Sequence, residues 1–242
     1  MPQGEFLPFA LDLNDELSVW RAETFYSKEP ETLKWLEHFA VNNFNCKTLI
    51  DVGANIGIYV LYWLHFSDTR AIAIEPFDKN VDLLVKNIEL NNFATKVKII
   101  RNPLYSQMTH AQAFIQDDRP GGSDYKISFT GKLHQTNPSK IETLTLDSIL
   151  DGKQENFILK IDTDGFDFDI LKGGESTLES GRIISILIES SEEGQNLIED
   201  YLKRFEFNAD SRFNSLVDHS DKRRKANGKK ELNRVYSARS QL

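Results

Sequence analysis

Three groups of side chains in this chain have the types and spacing to do chemistry. The run Leu49-Ile50-Asp51-Val52-Gly53-Ala54-Asn55-Ile56-Gly57 puts two glycines and an acid at a tight turn. Glycine lets the backbone turn sharply there and approach a ligand with no Cβ in the way. Glu75 closes the next apolar run, where a carboxylate can accept both hydroxyls of a ribose. Asp162, Asp164 and Asp167 cluster behind a third apolar run, Phe157 to Ile161.

A ribose acceptor alone fits several nucleotides. In a dinucleotide fingerprint the middle glycine lets a pyrophosphate touch the backbone, and Asn55 stands at that place here. Asp51 would repel a phosphate, whereas the ammonium of a methionine moiety would welcome it. The expected cofactor is therefore cationic, S-adenosylmethionine, with Asp51, Gly53, Asn55, Gly57, Glu75 and Asp162 as its contacts. The blander reading of Asp51 is a buried acid capping the turn. Tyr59 and Phe77 flank the turn and could face a sulfonium, or simply pack in the core. Asn102 and Ser106 follow the third strand, where they could read an adenine edge or shape the turn.

Were the acceptor an alcohol, a poor nucleophile at neutral pH, methyl transfer to it would benefit from a base. Asp162 or Asp164 could serve, and so could His134, whose type titrates in a suitable range. An ordinary aspartate is a weak base for an alcohol, which throws weight onto alignment and a desolvated site. The acids also permit a divalent metal that lowers the alcohol pKa; this ranks second, because Asp162, Asp164, Asp167 and Asp169 are also what a solvated helix start shows. Asp167 and Asp169 are read as such helix-start charges. Lys160 sits in an apolar strand and needs a carboxylate partner, Asp51, Asp162 or Glu189. Glu189, at the end of a later strand, could bind substrate or close the strand.

The elements that must hold these groups follow from periodicity. Strands are expected at Lys47 to Val52, Arg70 to Glu75, Val97 to Ile100, Phe157 to Ile161 and Ile183 to Ile188. Helical patterns fall between them: the apolar stretch Ile58 to Phe66, and Val81, Leu84, Val85 and Ile88 behind a capping Asp78, ending at Asn91-Asn92. A lead-in helix over 31 to 41 starts after Pro30, and Glu29-Pro30-Glu31-Thr32 ahead of it is either an ordinary helix start or a segment folded near the cofactor. Alternating strands and helices imply a doubly wound, mostly parallel α/β sheet. Residues 102 to 148 form a long insertion after the third strand, with short extended pieces at Ala113 to Ile115 and Tyr125 to Phe129 around the turn Asp117 to Ser123.

The whole chain, 1–242, is expected to be one domain: a lead-in and helix over 1–45, a core over 46–190, and a C-terminal helix, final strands and basic tail over 191–242. The tail carries Lys222-Arg223-Arg224-Lys225 and Lys229-Lys230. Such a run is a solvated surface or a seat for a phosphorylated acceptor. Elsewhere acids prevail, 37 Asp plus Glu against 29 Lys plus Arg for a formal charge of −8, which works against polyanions such as nucleic acid. The single cysteine, Cys46, excludes an internal disulfide or a cysteine-rich zinc site. No signal peptide and no run of about 20 apolar residues is visible, so the expected location is cytoplasmic. Nothing in the sequence sets an oligomeric state.

Several blocks, in order, resemble the FkbM-type methyltransferase family: Asp51 to Gly57, Ile74-Glu75-Pro76-Phe77, Asn87 to Asn91, Thr145-Leu146-Asp147, Leu159 to Gly165, and Leu171-Lys172-Gly173-Gly174. The resemblance spans approximately residues 29 to 190. It implies a Rossmann-like class I methyltransferase fold and methyl transfer to oxygen, often a hydroxyl on a sugar or small natural product. Many members carry Glu at the places of Asp164 and Asp167, so the reach of these shorter acids differs. The competing readings are a nicotinamide-dependent Rossmann oxidoreductase and a non-catalytic binding module on the same fold.

Overall fold

The computed structural model describes residues 7–13, 16–42, 45–115, 125–128, 139–163, 165–217 and 231–241. Two helices lead in, α1 (Glu16–Lys28) and α2 (Pro30–Val41). The alternating core follows as β1 (Cys46–Val52), α3 (Ile58–Phe66), β2 (Arg70–Ile74), α4 (Asp78–Leu90) and β3 (Val97–Ile100). After β4 (His110–Ile115), β5 (Tyr125–Ser128), β6 (Ser139–Glu142) and α5 (Leu146–Leu150), the core resumes with β7 (Asn156–Ile161), α6 (Asp167–Lys172), α7 (Glu175–Glu179) and β8 (Ile183–Ser191). The chain then runs through α8 (Glu192–Lys203), β9 (Phe207–Ala209) and β10 (Glu231–Ala238).

Seven strands form one sheet in the order β3-β2-β1-β7-β8-β10-β9. The five strands from β3 to β8 pair in parallel, and β10 runs antiparallel against both β8 and β9. Strand order reverses between β1 and β7, and in open α/β sheets ligands bind beyond the carboxyl ends at that point. Both sheet faces are covered, which is why the central strands read as mostly apolar runs, broken in β1 and β7 by the buried Asp51 and Lys160. One face packs Trp35, Leu36, Phe39 and Trp63 of α2 and α3; the other packs Leu150, Ile170, Leu171 and Leu202 of α5, α6 and α8.

The doubly wound expectation agrees with this sheet, and the five parallel strands fall where the apolar runs put them. Several local expectations change. Residues 16–28 form a helix that the apolar pattern does not announce, and β8 runs three residues further, to Ser191. Asp78 is the first helical residue rather than the cap, because Phe77 takes the cap position and the Asp78 carboxylate pairs with Arg101 at 3.0 Å. The insertion builds its own antiparallel sheet, β5-β4-β6, closed onto the core by a bridge between Leu104 and Leu144. Its last turn becomes α5, started by a capping box in which the Thr145 and Ser148 side chains each accept the other's backbone amide. Among the described residues, no helix is long and apolar enough to cross a membrane.

Candidate active site

The turn after β1 is left-handed at three points, with φ of +83° at Gly53, +50° at Asn55 and +84° at Gly57. A Cβ on Gly53 would lie 2.0 Å from the Asp162 carbonyl oxygen, so only glycine lets the β1 and β7 loops close on each other. The turn spends its own amides. Gly53 and Ala54 donate to the Ile74 carbonyl at 3.0 Å each, and Gly57 donates to the Ala54 carbonyl at 2.8 Å. Asn55 donates to Glu75 Oε2 at 2.9 Å and Ile56 to Asn55 Oδ1 at 2.9 Å. The result is a shelf whose amides, 53 through 57, all have acceptors within the chain.

Glu75 is buried at the end of β2, its Oε1 accepting the Phe77 amide at 3.0 Å. Burial pushes its carboxyl up to about 7, against the pull of the Phe77 and Asn55 amides. A carboxylate has about four acceptor positions, and the Phe77 and Asn55 amides and the Asn80 side chain take three of them, which leaves room for one further hydroxyl donor.

Behind the shelf lies a charge cluster. Asp51 and Lys160 are register partners on β1 and β7, which puts both side chains on one face of the sheet. Both are fully buried, at 0% and 1% side-chain exposure, with Nζ 3.5 Å from Asp51 Oδ1 and 3.1 Å from Asp162 Oδ2. Nζ also lies 5.0 Å from the centre of the Tyr59 ring. The Tyr59 hydroxyl donates to Glu29 Oε2 at 2.6 Å, and Lys28 stands 2.9 Å from Glu29 Oε1. Burial opposes the Lys160 charge, but Asp162, Asp51 and Glu29 together outweigh it and raise its pKa. Burial raises Asp51, with Lys160 pulling the other way. Glu29 resists its own burial mainly through Lys28 and is held down at about 2. Three carboxylates thus gather around one buried ammonium.

Asp167 corrects the reading of a solvated helix start. It is buried, accepting the Thr163 amide at 2.9 Å and the Thr163 hydroxyl at 3.0 Å, and burial lifts its carboxyl to about 7. It braces the loop that presents Asp162. Asp169 does behave as a surface charge, paired with Lys172 one turn on. Asp164, His134, the turn at 117–123 and the basic run at 222–230 lie outside the described residues.

Two adjoining pockets share Gly53 and Thr163. One is polar, walled by Asn55, Glu75, Lys160, Asp162 and Glu189, with Arg21 and Lys28 of α1 on its rim. The other is apolar, walled by Ile74, Pro76, Pro103, Leu104, Ile127 and Phe166. Of the residues singled out from sequence, Gly53, Asn55, Glu75, Asp162, Lys160, Tyr59 and Glu189 meet at the polar pocket. Asp51 sits beneath Lys160 and is off the wall, while Gly57 braces the shelf against Leu84.

Phe77, Asn102 and Ser106 stand outside both walls. Phe77 contributes its amide to Glu75, Asn102 donates to the Glu142 carbonyl at 2.9 Å to tie the exit of β3 to β6, and Ser106 lies against Gly173. Arg21, Lys28 and Ile127 line the pockets without any prior signal; a charged residue on a half-buried helix reads from sequence as a solvated face. Among the described residues, no three His, Cys, Asp or Glu side chains form a metal-sized group.

Comparison with known proteins identifies the family and the fold. Residues 51–213 match the family described as Methyltransferase FkbM domain. The Methyltransferase sdnD of Sordaria araneosa is 26% identical over 153 residues, covering 52% of this chain and 59% of its own length. This chain therefore spans less than two thirds of that relative. Among solved structures, the METTL16 MTase domain superposes with a TM-score of 0.50 at 10% identity, covering 96% of this chain and 74% of its own. TrmK of M. capricolum, solved with S-adenosyl-homocysteine, gives a TM-score of 0.47 at 12% identity over 86% of this chain and 67% of its own.

Proposed function

Because the chain belongs to the FkbM methyltransferase family, we propose that it is an S-adenosylmethionine-dependent O-methyltransferase acting on a hydroxyl of a sugar-containing or other natural-product acceptor. The observation that carries this reading is the charge of the polar pocket. Glu75, Asp162 and Glu189 wall it, with Asp51 and Glu29 behind, so five acids face three cations, the buried Lys160, Lys28 paired with Glu29, and Arg21. A ligand with vicinal hydroxyls and an ammonium suits such a wall. A pyrophosphate does not, because the shelf amides are spent and the wall is acidic, so the nicotinamide reading loses its main contact.

In this reading Glu75 takes a ribose hydroxyl, Asp162 the ammonium, and the apolar pocket at Pro103, Leu104 and Ile127 the adenine face. S-Adenosylmethionine, when bound, supplies an activated methyl group. The chain supplies alignment. Asp162, fixed by Lys160 and by the Thr163–Asp167 brace, orients the acceptor hydroxyl and receives its proton as the new bond forms. Asp164 and His134 are the other two candidates for that proton. The acidic wall disfavours a polyanionic acceptor.

The test is incubation with methyl-labelled S-adenosylmethionine and a panel of glycosides, natural-product alcohols and RNA. Label fixed on a hydroxyl of a small acceptor is the expected result; label on RNA alone, or on nothing, overturns the reading. Asp162→Asn should then cut kcat about a hundredfold, within the range of a lost proton acceptor, and also weaken the donor about tenfold, because the same carboxylate holds the donor ammonium.

A further inference from the structure

The acidic wall raises a question of its own. The amino-acid end of the methyl donor carries a carboxylate as well as an ammonium, and the floor of the pocket offers that carboxylate no cation beyond the buried Lys160, only the first-turn amides of α3 at Ile58 and Tyr59. The five amides of 53–57 are spent within the turn, and the Thr163 amide is spent on Asp167. Glu75, Asp162 and Glu189 are acids, and Lys160 is buried against Asp51 and Asp162.

The remaining cationic groups on this pocket come from α1. Phe25 seats that helix on α3, with ring centres 6.2 Å from Tyr59 and 5.2 Å from Tyr62. Arg21 and Lys28 lie four residues before and three after Phe25, hence on the same face, and both reach the pocket rim. Lys28 is already paired with Glu29, which leaves its ammonium beside the rim while tying α1 to the charge cluster. The helix lies wholly ahead of the family match, which starts at residue 51.

We propose that α1 supplies the carboxylate receptor of the methyl-donor site, with Arg21 as the binding group and Lys28 beside it. The proposal rests on the donor reading above. It makes the pocket two-sided: an acidic floor for the ammonium and ribose, and a cationic roof for the carboxylate. Guanidinium is suited to the role because its planar fork meets a carboxylate with two parallel hydrogen bonds.

The experiment is calorimetric titration of wild type, Arg21→Gln and Arg21→Lys with S-adenosylhomocysteine and with its decarboxylated analogue. Arg21→Gln should weaken S-adenosylhomocysteine about ten- to a hundredfold, the size of a lost charge-assisted hydrogen bond, and the decarboxylated analogue less than about twofold. Arg21→Lys should recover part of the loss for the first ligand only. A purely structural role for Arg21 would weaken both ligands alike, and that result overturns the proposal. So does unchanged affinity for both, which would move the carboxylate to the first-turn amides of α3. Failure of wild type to bind S-adenosylhomocysteine would instead remove the donor reading and this proposal together, and is distinguishable from either outcome.

Discussion

The loops after β1 and β7 face each other across Gly53, yet they do opposite work. The first closes on itself: its amides are satisfied by Ile74, Ala54, Asn55 and Glu75, and its shape is set by three left-handed residues. The second carries charge: Asp162 reaches the pocket while anchored to Lys160, and Asp167 turns inward to hold Thr163. One loop fixes where a ligand can lie and the other fixes what charge it meets. Substitutions in the first should therefore act through geometry and those in the second through electrostatics.

Gly53→Ala should have the largest effect. The new Cβ would meet the Asp162 main chain at 2.0 Å with φ at +83°, so the two loops must part. A loss of about 3 kcal/mol or more in stability by urea unfolding is expected, together with loss of ligand binding. Gly57→Ala, at nearly the same φ, meets only the end of the Leu84 side chain and should cost distinctly less. Equal costs would break the geometric account of the first loop.

Lys160→Met comes next. It strands Asp51 in the core beside Asp162, and should destabilise by about 3 kcal/mol, with much of that recovered in the double variant Lys160→Met/Asp51→Asn. A double variant no better than the single would show that Lys160 acts through packing alone.

The smallest effect is a pH dependence. Glu75 binds its proton more tightly in the folded chain, with a pKa near 7 against an ordinary 4.5, so its contribution favours folding at low pH and fades as pH rises through about 7. Asp167 has the same sign, again with a value near 7. Hydroxyl donors bound to Glu75 favour its ionised form, so affinity for S-adenosylhomocysteine should rise a few fold between pH 6 and 8. Glu75→Gln should flatten that rise and weaken binding about tenfold. A rise that survives in Glu75→Gln would assign the titration elsewhere.

Much of this was legible in the sequence because burial on both faces writes itself as apolar runs. The strands at 157–161 and 183–188 needed only that signal, and the glycine shelf only its spacing. The charge cluster was partly legible, since a lysine inside an apolar strand demands a carboxylate, and Asp51 and Asp162 both answer. Depth was not. Whether Asp51 touches a ligand or hides under Lys160 depends on strand register, and whether Asp167 is solvated depends on Thr163 turning it inward. The helix α1 was missed because its buried side, Ser18, Ala22 and Phe25, has only one large apolar residue to mark it.

The most direct test of the methyl-donor site is calorimetric titration of the wild-type chain with S-adenosylhomocysteine, with NADH run in parallel. Saturable one-to-one binding of S-adenosylhomocysteine, with NADH silent, is the predicted result. Tight NADH binding, or no S-adenosylhomocysteine binding at millimolar ligand, would contradict it.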